Sequence, residues 1–236
     1  MTLVSCQNCS YENMNDIYVD DVRRDDLSYS EGVRVVSLNG KYGYADENGK
    51  IVIPPRFKDA CSFSEGLAVV YVVMGKEEIS EGDWSTSNEI IKSGFINHKG
   101  EYAIIPQFDR AFGFHNGIAA IEIDSKWGFI DKTGTRFILP QFEDVEPRWQ
   151  FSNGLALVKS KGKWGYIDKR GYFCIPAKFD EAEPFSPTFS QHVLVKLNGE
   201  LFFIDREGKR VNIKDNSGHS TYIPSTIPPV NLLKPK

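Results

Sequence analysis

No run in this chain approaches the ~18 consecutive apolar residues that a membrane-spanning helix needs. No basic stretch followed by an apolar core opens the N-terminus, so no secretory leader is expected. Leu3-Val4-Ser5-Cys6 has the form of a lipoprotein cleavage box, but only Met1 and Thr2 precede it. A lipoprotein or surface-exposed protein is expected only if the true start lies upstream. A clustered basic surface is also missing, and the net charge of −4 argues against nucleic acid as a partner.

Cysteine is scarce, with four residues at 6, 9, 61 and 174. A chain of 236 residues buries a core without staples, so this is no disulfide framework and a reducing cytoplasm is expected. Cys61 and Cys174 are expected to be small buried thiols. Histidine is equally sparse, and His98, His115, His192 and His219 pair by motif with no serine, cysteine or carboxylate. There is no His-Glu-x-x-His, no Gly-x-Ser-x-Gly and no phosphate loop. No catalytic residue and no cofactor is therefore expected, and the chain does not read as an enzyme.

What the chain does have is repetition. Gly40-Lys41-Tyr42-Gly43-Tyr44-Ala45-Asp46-Glu47-Asn48-Gly49 returns as Lys126-Trp127-Gly128-Phe129-Ile130-Asp131-Lys132-Thr133-Gly134, and again as Gly162-Lys163-Trp164-Gly165-Tyr166-Ile167-Asp168-Lys169-Arg170-Gly171. Weaker copies run Ser93 to Gly100 and Leu201 to Gly208. The closing glycines 49, 100, 134, 171 and 208 are separated by 51, 34, 37 and 37 residues, the period of a repeat array. Eight residues after each of the first four stands an aromatic: Phe57, Phe108, Phe142 and Phe179.

Each unit reads as three short strands. The first is Gly-Leu-Ala-x-Val, entered through an Asn-Gly or Glu-Gly turn. The second is Trp-Gly-Tyr-Ile-Asp, rich in aromatic and branched residues. The third is an Ile-x-Pro run, expected to stop at a proline that cannot continue a central ladder. Between the last two, Asp46, Asn97, Asp131, Asp168 and Asp205 sit where a side chain bonds its own turn. Turn capping explains that column without a ladder of cations. The mid-strand glycines Gly43, Gly94, Gly128 and Gly165 are expected to make room for an aromatic of the adjacent unit. The aromatics Trp127 and Trp164 are expected in the core between units, because no single unit buries its apolar face alone.

The pattern Gly-Leu-Ala-x-Val, then Gly-Lys-Trp-Gly-Tyr-Ile-Asp-x-x-Gly, then Ile-x-Pro-x-Phe-Asp-x-Ala resembles the bacterial WG-repeat (KWG-repeat) family, over about three quarters of the chain. The second copy has Ser93 in place of the tryptophan, and the fifth lacks both hallmark residues. The resemblance implies a bacterial β-repeat protein acting as an interaction scaffold, and it supplies no catalytic residues.

The expected architecture is all-β, a tandem array of about five three-stranded antiparallel units, open and twisted, with a closed five-bladed propeller as the rival. Residues 1–29 form an N-terminal flank with a lone Cys-x-x-Cys. Residues 30–211 form the array, with a degenerate fifth unit as a cap. Residues 212–236 form a Pro/Ser/Thr-rich tail expected to be disordered.

Three local features are candidates for function. The long second interval places about 14 to 17 extra residues near 74–92, and such insertions map to loops on a binding face. There Trp84, Glu78 and Asp83 are candidate contacts for a protein partner, Trp84 as the anchor. The bland alternative is a strand extension, with Trp84 folded back and its acids solvated. Cys6 and Cys9 resemble the first knuckle of a zinc ribbon, but a structural zinc needs four ligands and no second knuckle follows. The leading function is a non-enzymatic protein-binding scaffold with no membrane span. The alternatives are a glycan or small-ligand module using exposed repeat aromatics and, weakest, a hydrolase with an inter-repeat site.

Overall fold

A computed structural model describes residues 29–81, 84–147, 151–185 and 191–211, and their side chains except those of 79–81 and 84–86. Most of the N-terminal flank, with Cys6 and Cys9 and their zinc-knuckle reading, lies outside the described residues, as do Asp83 and the tail. The described residues form five small antiparallel sheets in tandem and no helix.

The first sheet holds β1 (Val33–Leu38), β2 (Lys41–Asp46) and β3 (Ile51–Phe57). The second holds β4 (Asp59–Ala60), β5 (Ala68–Glu81), β6 (Trp84–Ile96) and β7 (Tyr102–Phe108). The third holds β8 (Arg110–Ala111), β9 (Ile118–Ile123), β10 (Lys126–Asp131) and β11 (Arg136–Phe142). The fourth holds β12 (Asp144–Val145), β13 (Ala156–Ser160), β14 (Lys163–Ile167) and β15 (Phe173–Phe179). The fifth holds β16 (Glu181–Ala182), β17 (Val193–Leu197), β18 (Glu200–Ile204) and β19 (Arg210–Val211).

Three strands per unit were expected, and sheets two to five have four. The extra strand is borrowed. One residue after β3 ends at Phe57, the chain crosses into the next sheet as β4, and β7, β11 and β15 hand on β8, β12 and β16 in the same way. Lys58 N–H donates to the Tyr71 carbonyl (2.8 Å) and Cys61 N–H to the Val69 carbonyl (2.9 Å), so successive sheets are stitched by backbone hydrogen bonds. None of the sheets is closed into a barrel, and their substantial packing runs from each to the next in chain order, as in an open array.

The hairpins entering the first four units are two-residue turns with both residues left-handed. Asn116 (φ 52°) and Gly117 (φ 77°) form one, and Asn153 (φ 52°) and Gly154 (φ 82°) another. This is the type I′ geometry whose twist matches the flanking strands. The second turn is built by the aspartate column: Asp46 Oδ1 accepts from the amides of Asn48 (3.0 Å) and Lys50 (2.9 Å). Asn97, Asp131, Asp168 and Asp205 repeat that pair of bonds.

The mid-strand glycine has a different neighbour from the one expected. Tyr42 pairs with Phe57 and Tyr44 with Ile53, so a two-residue step on β2 faces a four-residue step on β3. The surplus on β3 arches back over Gly43. A Cβ there would lie 2.4 Å from the Ile53 carbonyl oxygen and 2.6 Å from Pro55 N. Gly94, Gly128 and Gly165 meet the third strand of their own unit in the same way, at 2.5 to 2.8 Å. The glycine column thus accommodates backbone, not an aromatic ring from the adjacent unit. The proline does not end the third strand either, because β3, β7, β11 and β15 run through it to the Phe column. It is tolerated because it stands in the arch, where no ladder amide is required.

Four apolar cores lie between the five sheets. Tyr44, Ile53 and Phe57 of the first sheet pack with Ala68, Val70 and Ile96 of the second. Phe95 and Phe108 of the second pack with Ala119, Ile121 and Ile130 of the third. The third and fourth sheets share Phe129, Ile138, Phe142, Ala156, Val158 and Ile167, and the fourth and fifth share Tyr166, Ile175, Phe179, Val193 and Ile204. The closing glycines take part: Gly134 approaches Ile104, Gly171 approaches Ile138, and each isoleucine belongs to the preceding unit.

The arch sets a sharp expectation. Gly128→Ala puts a methyl 2.5 Å from the Ile138 carbonyl and should cost about 3 kcal/mol, the upper part of the range for overpacking. Gly162→Ala, in open space at φ 74°, should cost only about 1 kcal/mol, for the left-handed backbone. Urea unfolding of both variants checks the order; equal losses would remove the arch as the reason for glycine.

Candidate functional site

The insertion is not a loop. β5 runs for 14 residues and β6 for 13, against 6 each in the equivalent β9 and β10. The hairpin stays in register from Ala68↔Ile96 to Glu81↔Trp84, with one extra residue, Met74, between the Val73↔Ile91 and Gly75↔Ile90 pairs. Branched residues (Val72, Val73, Ile79, Thr86, Ile90, Ile91) favour a pleated strand and explain the extension. The expected binding loop is therefore a β-arm, the strand extension that was the bland alternative.

The arm leaves its sheet early. β4 pairs no further out than Tyr71, and β7 no further than Ser93. Beyond Val72 and Lys92 the arm is a two-stranded ribbon with both edges unpaired within its sheet. Its base is held by Lys58 to Glu89 (2.7 Å) and by Lys92 to Asp109. The Lys58 ammonium bonded to Glu89 holds that carboxyl below the ordinary glutamate range. Glu77, Glu78, Ser87, Asn88 and Ile90 are exposed. Trp84 opens β6 opposite Glu81; the placement of its side chain lies outside what is described. Glu78 is thus on the arm as expected, on the ribbon beyond its sheet.

The repeat aromatics pack into the junctions to different depths. Trp127 is only 3% exposed, stacked on Phe112 (centroids 4.9 Å apart, 14° between planes) with the Arg110 guanidinium 5.0 Å from the ring centre. That guanidinium grips Glu122 through both Nε and Nη2, the second bond 2.7 Å long. Glu122 pairs across the strands with Trp127, so the ring lies beside an ion pair whose carboxylate is buried and whose guanidinium reaches the surface. Trp164 is half-buried against the fourth core, with Lys159 5.7 Å from its ring centre. Phe57, Phe108, Phe142 and Phe179 are buried opposite Tyr42, Ser93, Trp127 and Trp164. These columns are packing elements.

Three acidic residues directly after the Phe column cap turns of the next sheet. Asp109 accepts from the Asp124 amide (2.8 Å), Glu143 from Gly162 (2.8 Å) and Asp180 from Asn198 (2.7 Å). The three stand one residue past Phe108, Phe142 and Phe179, and Lys58 takes that place after Phe57. A second ladder joins the entry turns: Glu31 accepts from the Gly66 amide and His98, and Glu65 from the Gly117 amide and Lys132. Partial burial raises both carboxyls. The bonds from His98 and Gly66 to Glu31, and from Lys132 and Gly117 to Glu65, outweigh it, and both sit below the ordinary range.

Among the described residues no group of three His, Cys, Asp or Glu could hold a metal ion. Neither cysteine in the array is the buried free thiol expected: Cys61 is buried but disulfide-bonded, and Cys174 is free and exposed. Among the described residues no helix is long and apolar enough to cross a membrane.

The stitched sheets, the arched glycines and the four shared cores define a tandem β-repeat protein. The family model described as "WG containing repeat" matches residues 42–72, 94–127, 127–164 and 164–199, more than half of the chain. The chain belongs to the WG-repeat family. No curated protein matches it. A solved structure described as "Crystal structure of the eukaryotic initiation factor" superposes with a TM-score of 0.45 at 12% identity, over 80% of this chain and 55% of that one. This chain thus spans about half the length of that protein, and at that score the likeness carries no argument.

Asp59 titrates against the trend of the ladder. Burial raises its pKa above 3.8, with the Ala60 amide opposing. A raised carboxyl destabilises the fold fully above its folded pKa; the penalty fades as pH falls through that value and is gone well below the unfolded value of 3.8. Asp59→Asn keeps an oxygen for the Ala60 amide and should raise Tm at pH 7. The difference should shrink as the pH falls and vanish below about pH 3, where Asp59 is protonated in both states; a difference independent of pH would reject burial as the cause.

Proposed function

We propose that this chain is a non-enzymatic protein-binding scaffold in which the array is the rigid body and the arm over 74–92 is the recognition element. One observation carries this reading: among the described residues only the second unit carries an insertion, and it projects as a ribbon with two edges unpaired within its sheet. Two-stranded ribbons are marginal alone in water, so an arm of this kind gains most from a partner. The chemistry points the same way. The raised carboxyls Asp59, Asp144 and Glu183 lie in different junctions, each lifted chiefly by burial, which offers no acid–base pair for a hydrolase. The glycan alternative needs exposed rings in the Trp-Gly column, and the burial of Trp127 weighs against it.

The experiment is affinity capture from bacterial lysate, with the full chain beside a variant whose residues 76–91 are replaced by a short Gly/Ser linker. A partner held by the full chain and lost from the variant is the expected result. Equal recovery would make the arm structural and move the search to the array face. Recovery of no protein by either would count against the scaffold and return glycans to the test.

A further inference from the structure

The two edges of the arm are not equivalent. Val69 and Tyr71 turn their carbonyls toward the chain segment around β4, accepting from Cys61 and Lys58. In an antiparallel ladder the neighbours Val70 and Val72 then face β6, and their partners Gly94 and Lys92 face β5. Alternation along β6 directs the backbone groups of Ser93, Ile91, Glu89, Ser87 and Ser85 to the other side. Ser93 is the last of these to meet β7, through Phe108. Past it Ile91, Glu89, Ser87 and Ser85 present a row of donors and acceptors on the line that β7 abandons. Along β5, beyond the extra residue at Met74, the outward row falls on Lys76, Glu78 and Ser80.

Natural sheets guard exposed edges with charge, proline or a bulge. The β5 edge has all but the proline, with Lys76, Glu77, Glu78 and Glu81 and the irregularity at Met74. The β6 edge has little: Ser85 to Ile91 contains no proline and no glycine, its one charge is Glu89, already paired with Lys58, and its pairing with β5 from Trp84 to Asn88 is unbroken. An unguarded edge beside a guarded one is the arrangement that admits one added strand on one side.

Charge selects the occupant. Residues 74–92 carry Glu77, Glu78, Glu81, Asp83 and Glu89 against Lys76 and Lys92. A strand added to β6 would lie two interstrand spacings from β5, on the order of 10 Å, about one Debye length at moderate salt. We propose that the β6 edge from Ser85 to Ile91 takes up an extended, basic segment of a protein partner by strand addition. The slot admits about seven residues, or ~23 Å of extended chain. Main-chain bonds supply the attachment and the acids of the neighbouring strand favour lysine or arginine. This mode rests on the scaffold reading above and gives it a geometry.

The test uses the full chain and a fluorescein-labelled eight-residue peptide of alternating lysine and valine, followed by fluorescence anisotropy. Saturable binding that weakens with salt is expected, and the matching glutamate–valine peptide should not bind. Ser87→Pro removes an outward amide and leaves the hairpin's own bonds in place, so it should weaken binding tenfold or more. Ser87→Ala keeps the amide and should bind as wild type does. Independently of any variant, the amides of Ser85, Ser87, Glu89 and Ile91 should gain protection from hydrogen exchange when the peptide is added to wild type. No binding by wild type, equal binding of the acidic peptide, unchanged affinity in Ser87→Pro, or no gain in amide protection would each overturn strand addition. A lysate partner lost on shortening the arm but kept by Ser87→Pro would leave the scaffold standing and remove only this mode.

Discussion

Every sheet in this protein is incomplete without its neighbour, and the rest of the structure follows from that dependence. The cores lie between sheets, so Phe129 of the third sheet is buried by residues of the fourth, and Tyr166 of the fourth by residues of the fifth. The entry strands β5, β9 and β13 each carry a buried alanine, Ala68, Ala119 and Ala156, in the core shared with the preceding sheet. The borrowed two-residue strands bind the same junctions by backbone, and the carboxylate caps bind them by charge. Three kinds of interaction therefore act at one boundary, and stability is set by junctions more than by units.

The Trp-Gly pair is the clearest case of a motif whose visibility exceeded its explanation. Its period is plain in the chain, and so is the requirement for glycine at 43, 94, 128 and 165. What occupies the space is not plain. The arch over the glycine arises because the third strand carries two more residues than its partner between fixed pairs, a register property no single position reveals. The tryptophan beside it is replaceable for the same reason. Ser93 serves in the second unit because the bulge depends on the glycine, and the aromatic fills whatever volume its own junction leaves.

Asp46 and its equivalents were legible to the atom, because an Asx turn is local and its chemistry lies within five residues. The caps by Asp109, Glu143 and Asp180 were not, since each serves a turn 15 to 19 residues away in the next sheet. The insertion at 74–92 was legible as a departure from the repeat. Its form was hidden by composition: charged and polar residues along a ribbon exposed on both faces read as a loop. Register distinguishes them, and register is set at the base of the arm, from Ala68↔Ile96 to Val70↔Gly94, outside the inserted stretch itself.

The hand-over of strands between sheets also bears on how such a chain grows. Since β4 leaves the first unit to complete the second, and β8 the second to complete the third, a sheet and a sequence repeat never share the same boundaries. The family matches reflect this offset, starting in mid-sheet at Tyr42, Gly94, Trp127 and Trp164. A duplicated segment of one period arrives with a donor strand at one end and a vacancy for one at the other, whatever residue the duplication begins on. Lengthening the array thus needs no new junction chemistry, and a descendant with one more sheet differs from its parent by copying alone.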